Sequence, residues 1–319
     1  MTSSRFAFPP SSDAIFLTDG GLETTLVFLE GVDLPCFAAF PLLRSPEGQA
    51  RLERYFEPYI RTAVEHDVGF ILDTPTWRAN TDWGAKLDVS ADDLATVNQD
   101  AVRWASGLRD RLSDTRERIL INGVIGPRGD GYRPDAQMSA EEAQAYHAPQ
   151  VEAFREAGAD MVSAVTMNYA EEAIGIARAA EALGVPVVIS FTVETDGRMA
   201  TGETLHSAIE RTDRETGHGP AYYMINCAHP SHFDGILSES GGWTRRIRGL
   251  RANASAKSHA ELDESTELDP GDPGDLARRY RGLRQRMTQL SVLGGCCGTD
   301  HRHIAAICEA CVPASGRAA

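Results

Sequence analysis

Short apolar runs and longer amphipathic stretches alternate along this chain almost without interruption. Runs at 15–18, 69–73, 119–124, 160–166, 186–192, 222–227, 247–252 and 290–294 predict strands, since each is too short for a stable helix. The seventh is the least regular, because two arginines and a glycine interrupt it. Between the runs, apolar residues recur at helical spacing over 47–66, 91–112, 140–157, 170–183, 203–215, 233–239, 275–287 and 302–311. Gly and Pro follow several strand ends, as in Gly126-Pro127-Arg128-Gly129, where short βα loops need them. Eight strands, each followed by a helix, predict an α/β fold with a single closed (β/α)₈ TIM barrel. A doubly wound open sheet alternates in the same way, but the first strand–helix turn, Asp19-Gly20-Gly21-Leu22-Glu23, is not a dinucleotide fingerprint.

The pattern indicates one domain over residues 1–319, with 1–12 and 313–319 as frayed tails. The segment 255–275 is polar, acidic and broken by Pro270 and Pro273, which predicts a surface loop or lid. Its acids lack the regular spacing of a calcium loop.

Composition narrows the function classes. The chain is 42% hydrophobic and 24% charged, as in an ordinary globular domain. Its formal charge of −15 disfavours nucleic acid and anionic membrane as partners. The first residues lack a signal-peptide core, and no run approaches the roughly eighteen apolar residues of a spanning helix. A cytoplasmic, reducing location is the expectation, in which the six cysteines stay available for metal or chemistry.

The cysteines carry the strongest chemical signal. Cys296 and Cys297 are adjacent within Leu293-Gly294-Gly295-Cys296-Cys297-Gly298-Thr299. Neighbours on a regular strand point to opposite faces, so both sulfurs reach one point only if the backbone leaves strand geometry, which flanking glycines permit. Cys227 ends the sixth apolar run. In a barrel the sixth and eighth strands deliver their C-terminal ends to one mouth. Three thiolates favour Zn²⁺, with the fourth tetrahedral position left for an incoming ligand. His229, His232 and His301 are the nearest histidines and are expected outside the ligand set. Cys308 and Cys311 are expected to pack on the last helix, and Cys36 to lie in a loop or beside the first strand.

Ligand charge points to a reaction. Three thiolates outweigh the charge of Zn²⁺, making it a weaker Lewis acid towards water than a metal held by neutral imidazoles. A thiol in the fourth position would lose its proton yet stay electron-rich, which suits alkylation by an activated methyl group. Two other readings are compatible with the residues: a non-catalytic zinc- or thiol-binding barrel, and a redox protein with a Cys296–Cys297 disulfide.

Together, Asp19-Gly20-Gly21, Gly126-Pro127-x-Gly129, Asn226-Cys227, Gly294-Gly295-Cys296-Cys297-Gly298-Thr299 and His303-Ile304 resemble the zinc-dependent homocysteine S-methyltransferase family, over about residues 15 to 311. The resemblance implies a (β/α)₈ barrel with Zn²⁺ on Cys227, Cys296 and Cys297. It also implies a thiol acceptor such as homocysteine, whose amino-acid end lies near Asp19, Gly20 and Gly21 and beside Asn226. The implied partners are a small-molecule thiol and a small sulfonium or ammonium methyl donor, since no cobalamin or folate domain is present; a homo-oligomer is compatible. One position departs from the pattern: Val165 stands where relatives carry a Glu for the acceptor's amino group. Glu194 or Asp19 are candidate substitutes, a different thiol is a candidate acceptor, and Trp77 is a candidate stacking surface for a cationic donor.

Overall fold

Eight parallel strands pair in sequence order and close into a ring in this computed structural model, which describes residues 14–112, 118–134, 136–238 and 241–312. The strands are β1 (Phe16–Leu17), β2 (Gly69–Asp73), β3 (Ile119–Ile125), β4 (Met161–Met167), β5 (Val187–Phe191), β6 (Tyr222–Asn226), β7 (Ile247–Ala252) and β8 (Val292–Gly295). The principal helices are α1 (Pro46–Glu65), α2 (Ala91–Leu112), α3 (Ala140–Ala157), α4 (Ala170–Leu183), α5 (Leu205–Glu215), α6 (Pro230–Leu237), α7 (Pro273–Arg286) and α8 (His301–Cys311). Phe16 lies opposite both Gly69 and Val292, which closes the ring and excludes the open sheet. The expected tails at 1–12 and 313–319, and residue 239 of the sixth predicted helix, lie outside the described residues.

Helix starts follow local chemistry. Ser139 and Glu142 form a reciprocal capping box on α3, and Asp300 and His303 form one on α8. Two boundaries move for the same reason: α6 begins at Pro230 and α7 at Pro273, because proline fits the first helical turn and His229 and Asp272 cap them. The irregular seventh run is a barrel strand, because Gly249 and Arg251 point inward from it while Leu250 packs outward.

Strand alternation builds the barrel interior in two layers. Phe16, Ile71, Met161, Val188, Tyr222, Met224 and Val292 fill an apolar layer. Towards the C-terminal ends the inward positions turn polar: Asp73, Asn122, Ser163, Ser190, Asn226 and Arg251, all buried. Asn122 Nδ2 donates to Asp73 Oδ1 at 2.7 Å and to Ser163 Oγ at 2.6 Å. The site stands on this bonded layer.

Candidate metal and acceptor site

Three segments converge at the mouth. Cys227 is the first residue past β6 and takes the left-handed conformation, with φ of 53°. That backbone is held from several sides: Asn253 Nδ2 and His259 Nε2 donate to the Cys227 carbonyl, and Cys227 N–H donates to Arg251 O at 3.1 Å. Strain of this kind persists where surrounding bonds over-determine it, as they do at functional sites. β8 ends at Gly295, and the chain then turns through Cys296 and Cys297, where Thr299 N–H donates to Cys296 O. Gly298, at φ of 79°, supplies the left-handed step of that turn. Gly21 packs directly on it: a Cβ there would stand 2.6 Å from Cys296 O. The Asp-Gly-Gly motif is therefore the close-packed support of the cysteine turn.

The Cys227, Cys296 and Cys297 sulfurs lie within 4.8 Å of one another. Cys227 and Cys296 are paired as a disulfide, with Cα atoms 5.3 Å apart, and Cys297 is a free thiol. The Cys296–Cys297 disulfide considered from sequence is thus not the pairing the fold makes. Around a tetrahedral Zn²⁺, sulfurs sit about 3.8 Å apart, so reduction and a modest separation of that pair convert the cluster into a three-thiolate cradle. The donor set fits a soft cation, and no histidine or carboxylate joins the cluster among the described residues. Asn226 Oδ1 accepts from Thr166 N–H at 2.9 Å and Ser190 Oγ at 2.7 Å, which fixes the amide and turns Nδ2 towards Cys296 Sγ at 4.0 Å. Burial pushes the Cys297 thiol up to about 11, and nearby Glu23 adds to the rise, while the Tyr132 hydroxyl bonded to it opposes both.

Arg251 braces the mouth from β7. It donates to Asp19 Oδ1 at 2.6 Å, to Asp73, and to Gly295 O at 3.2 Å. Tyr55 donates to Asp19 Oδ2 at 3.0 Å. Burial drives the Asp19 carboxyl up to about 7 and Arg251 opposes it.

A cavity of about 500 Å³ opens over these groups. Its wall includes Glu23, Trp77, Arg78, Tyr132, Val165 and Cys297. The segment expected as loop or lid covers it: Ser255, His259, Leu262 and Leu268 line the cavity, and a short helix, His259–Asp263, stiffens it. His303 Nε2 ties the lid's end to α8 through Pro270 O at 2.8 Å.

The predicted site residues separate clearly. Asp19, Gly20, Gly21 and the three cysteines line the cavity, and Asn226 lies beneath Cys296. Glu194 does not serve as the substitute acid, because His259 Nδ1 holds it at 2.8 Å and it is absent from the cavity wall. The Asp19 carboxylate is spent on Arg251 and Tyr55. One face of Trp77 is already covered by Arg78, whose guanidinium carbon is 3.9 Å from the ring centroid. His229 caps α6, His232 bonds Ala256 O, and His301 opens α8, so none of them approaches the sulfurs. Cys308 and Cys311 are buried on α8, and Cys36 sits half-buried in a turn. Sequence reasoning missed Arg251, Arg78, Glu23 and Tyr132. Only the first carried a signal, as an arginine inside an apolar strand.

A (β/α)₈ barrel that gathers three cysteine sulfurs at its mouth defines the class. Within it, the chain belongs to the homocysteine S-methyltransferase family, whose family model matches residues 16–311. A curated relative, the homocysteine S-methyltransferase of Escherichia coli (strain K12), is 26% identical over 59% of this chain and 62% of its own length. The alignment therefore spans somewhat under two thirds of that relative. The crystal structure of the Escherichia coli homocysteine methyltransferase MmuM in its oxidized form superposes with a TM-score of 0.73 at 23% identity, covering 92% of this chain and 95% of the other. The metallated form gives 0.72 at 22% identity over the same shares. No helix among the described residues is long and apolar enough to cross a membrane.

Proposed function

We propose that this chain is a zinc-dependent thiol S-methyltransferase that moves a methyl group from a small sulfonium or ammonium donor to an acceptor such as homocysteine. The observation that carries this reading is the convergence of the Cys227, Cys296 and Cys297 sulfurs within 4.8 Å at the mouth of a barrel of this family. Bound there, Zn²⁺ would take the acceptor sulfur as a fourth ligand and lower its pKa. The protein's own part is positional. Asn226 directs an N–H at Cys296, and Tyr132 directs a hydroxyl at Cys297, contacts that would help hold these two sulfurs in place. The lid residues Leu262 and Leu268 line the same cavity, and an apolar wall there would limit the water reaching a nucleophile. The acceptor sulfur forms the new bond to the methyl carbon, and the old bond's electrons return to the donor's cationic sulfur or nitrogen. Asp19, Gly20, Gly21 and Asn226 are assigned to support of the acceptor end.

The test combines metal analysis with a panel of thiols and onium donors on one reduced sample. About one zinc per chain, a methylated thiol product, and loss of both on Cys227→Ser, Cys296→Ser or Cys297→Ser are expected. Turnover by a zinc-free preparation would refute the proposal, and a zinc-loaded protein inert towards every pair would instead favour a binding barrel.

A further inference from the structure

Two side chains of the cavity wall carry charges that the protein leaves unanswered. Arg78 is 6% exposed. Its guanidinium is sandwiched between indoles, 3.9 Å from the Trp77 centroid and 3.6 Å from that of Trp83. Its in-plane bonding is sparse: one N–H donates to Gly129 O at 3.1 Å, and Nε has no partner. No carboxylate among the described residues is within ion-pair distance of it; burial pulls its pKa down to about 10, against the charges of Asp130 and, more weakly, Glu23. The two rings satisfy the faces of the cation but not its edge, which is built for a planar carboxylate. A buried guanidinium without an anion is costly to keep.

Glu23 is the complementary case. The cavity's other acids are engaged: Asp19 and Asp73 by Arg251, Asp130 by the N–H groups of Tyr132 and Arg133, Asp263 by Arg133, and Asp269 by Ser255; Glu267 is exposed on the lid. Glu23 forms no ion pair and no side-chain hydrogen bond with any other described residue, and burial drives it up to about 7. Val165, also on the wall, offers an ammonium group nothing. Arg78 and Glu23 feel each other's charge without pairing, and the Glu23 charge reaches Cys297. The cavity thus offers separated plus and minus charges close to a thiol cluster.

We propose that Arg78 and Glu23 are the specificity pair of this pocket, Arg78 receiving the carboxylate and Glu23 the ammonium of an amino-acid thiol whose sulfur points at the three cysteines. This rests on the S-methyltransferase reading for its purpose, but its test is one of binding. Calorimetric titration of the reduced, zinc-loaded protein would compare L-homocysteine with 3-aminopropanethiol, which lacks the carboxylate, and 4-mercaptobutanoate, which lacks the ammonium.

Each truncated thiol is expected to bind roughly 10- to 100-fold more weakly than L-homocysteine. Arg78→Gln should weaken L-homocysteine by a similar factor and leave 3-aminopropanethiol unchanged. Glu23→Gln should do the same for L-homocysteine and spare 4-mercaptobutanoate. Equal binding of all three thiols to the wild type, or no binding of any, would overturn the proposal, as would a variant that weakens all three alike. A Glu23→Gln variant that loses affinity for glycine betaine while keeping L-homocysteine would overturn it too, by assigning Glu23 to the donor. The wild-type ligand series decides the matter even if a variant does not fold. The expected binding pattern without methyl transfer would leave the pair standing and remove the enzymatic reading.

Discussion

Replacing Arg251 with methionine keeps most of the side-chain volume and removes the one cation that Asp19 and Asp73 share. Their side chains are 10%, 3% and 8% exposed for Arg251, Asp19 and Asp73, so water cannot replace the lost partner. Removing one member of a buried ion pair costs about 3–5 kcal/mol, and with two acids orphaned the upper end is expected. With a urea slope of about 3 kcal/mol per molar, the midpoint falls by roughly 1–2 M. The loss depends on pH in a definite direction. Burial already lifts Asp19 to about 7 in the folded protein, and Arg251 is the main force holding it down. An acid raised above its unfolded value of about 3.9 contributes stability that is complete below that pH and disappears as pH climbs through the folded value. Without Arg251 the folded value rises further, so the decline continues to higher pH. The deficit of Arg251→Met relative to wild type therefore grows between about pH 5 and about pH 8, and Asp19→Asn in the same background recovers part of it. Urea titrations at both pH values check this. A deficit under about 1 kcal/mol, or one equal at both pH values, would refute the reasoning.

Two further outcomes are expected. Asn226→Ala leaves the Thr166 N–H and the Ser190 hydroxyl without their acceptor, at a cost of about 1–3 kcal/mol for each buried group, and removes the N–H aimed at Cys296; thermal unfolding should show the loss, and zinc retention after chelator dialysis should fall, whereas unchanged retention would separate Asn226 from the metal. Burial holds His229 down at about 4, so its contribution is present above an unfolded value of about 6.5 and is lost as pH falls through the folded value; His229→Asn keeps a cap acceptor for Ser231 N–H and should lose less stability on acidification, an expectation that parallel acid curves for variant and wild type would rule out.

Legibility in the sequence followed the range of the physics involved. α2, α3 and α4 were readable to the residue because their apolar spacing and boundary signals are local. The sulfur cluster was readable because a vicinal cysteine pair between glycines has little other structural use, and barrel topology then supplies the third thiol. What stayed hidden depends on partners far along the chain. Arg251 meets Asp19 across 232 positions, and nothing near residue 251 announces that pairing. Arg78 and Glu23 acquire meaning only from missing partners, which a sequence cannot display. Glu23 itself sits where the first strand–helix turn passes into short helical turns, Leu22–Thr24 and Thr25–Leu29. Glu194 stood as one of several candidates because its partner His259 comes from the lid 65 residues away, out of reach of local sequence signals.

The two ligand-bearing segments are 69 residues apart, with β7 running between them. A growing polypeptide that has emitted only β6 holds a solitary sulfhydryl at this spot, a feeble chelator. On the zinc-dependent reading, high affinity would arise once β8 docks against β1 and seals the cylinder, because Cys296 and Cys297 arrive with it. Cation capture would then coincide with completion of the tertiary structure, and a fluorescent zinc indicator mixed with reduced, refolding protein would time the last stave sliding into place.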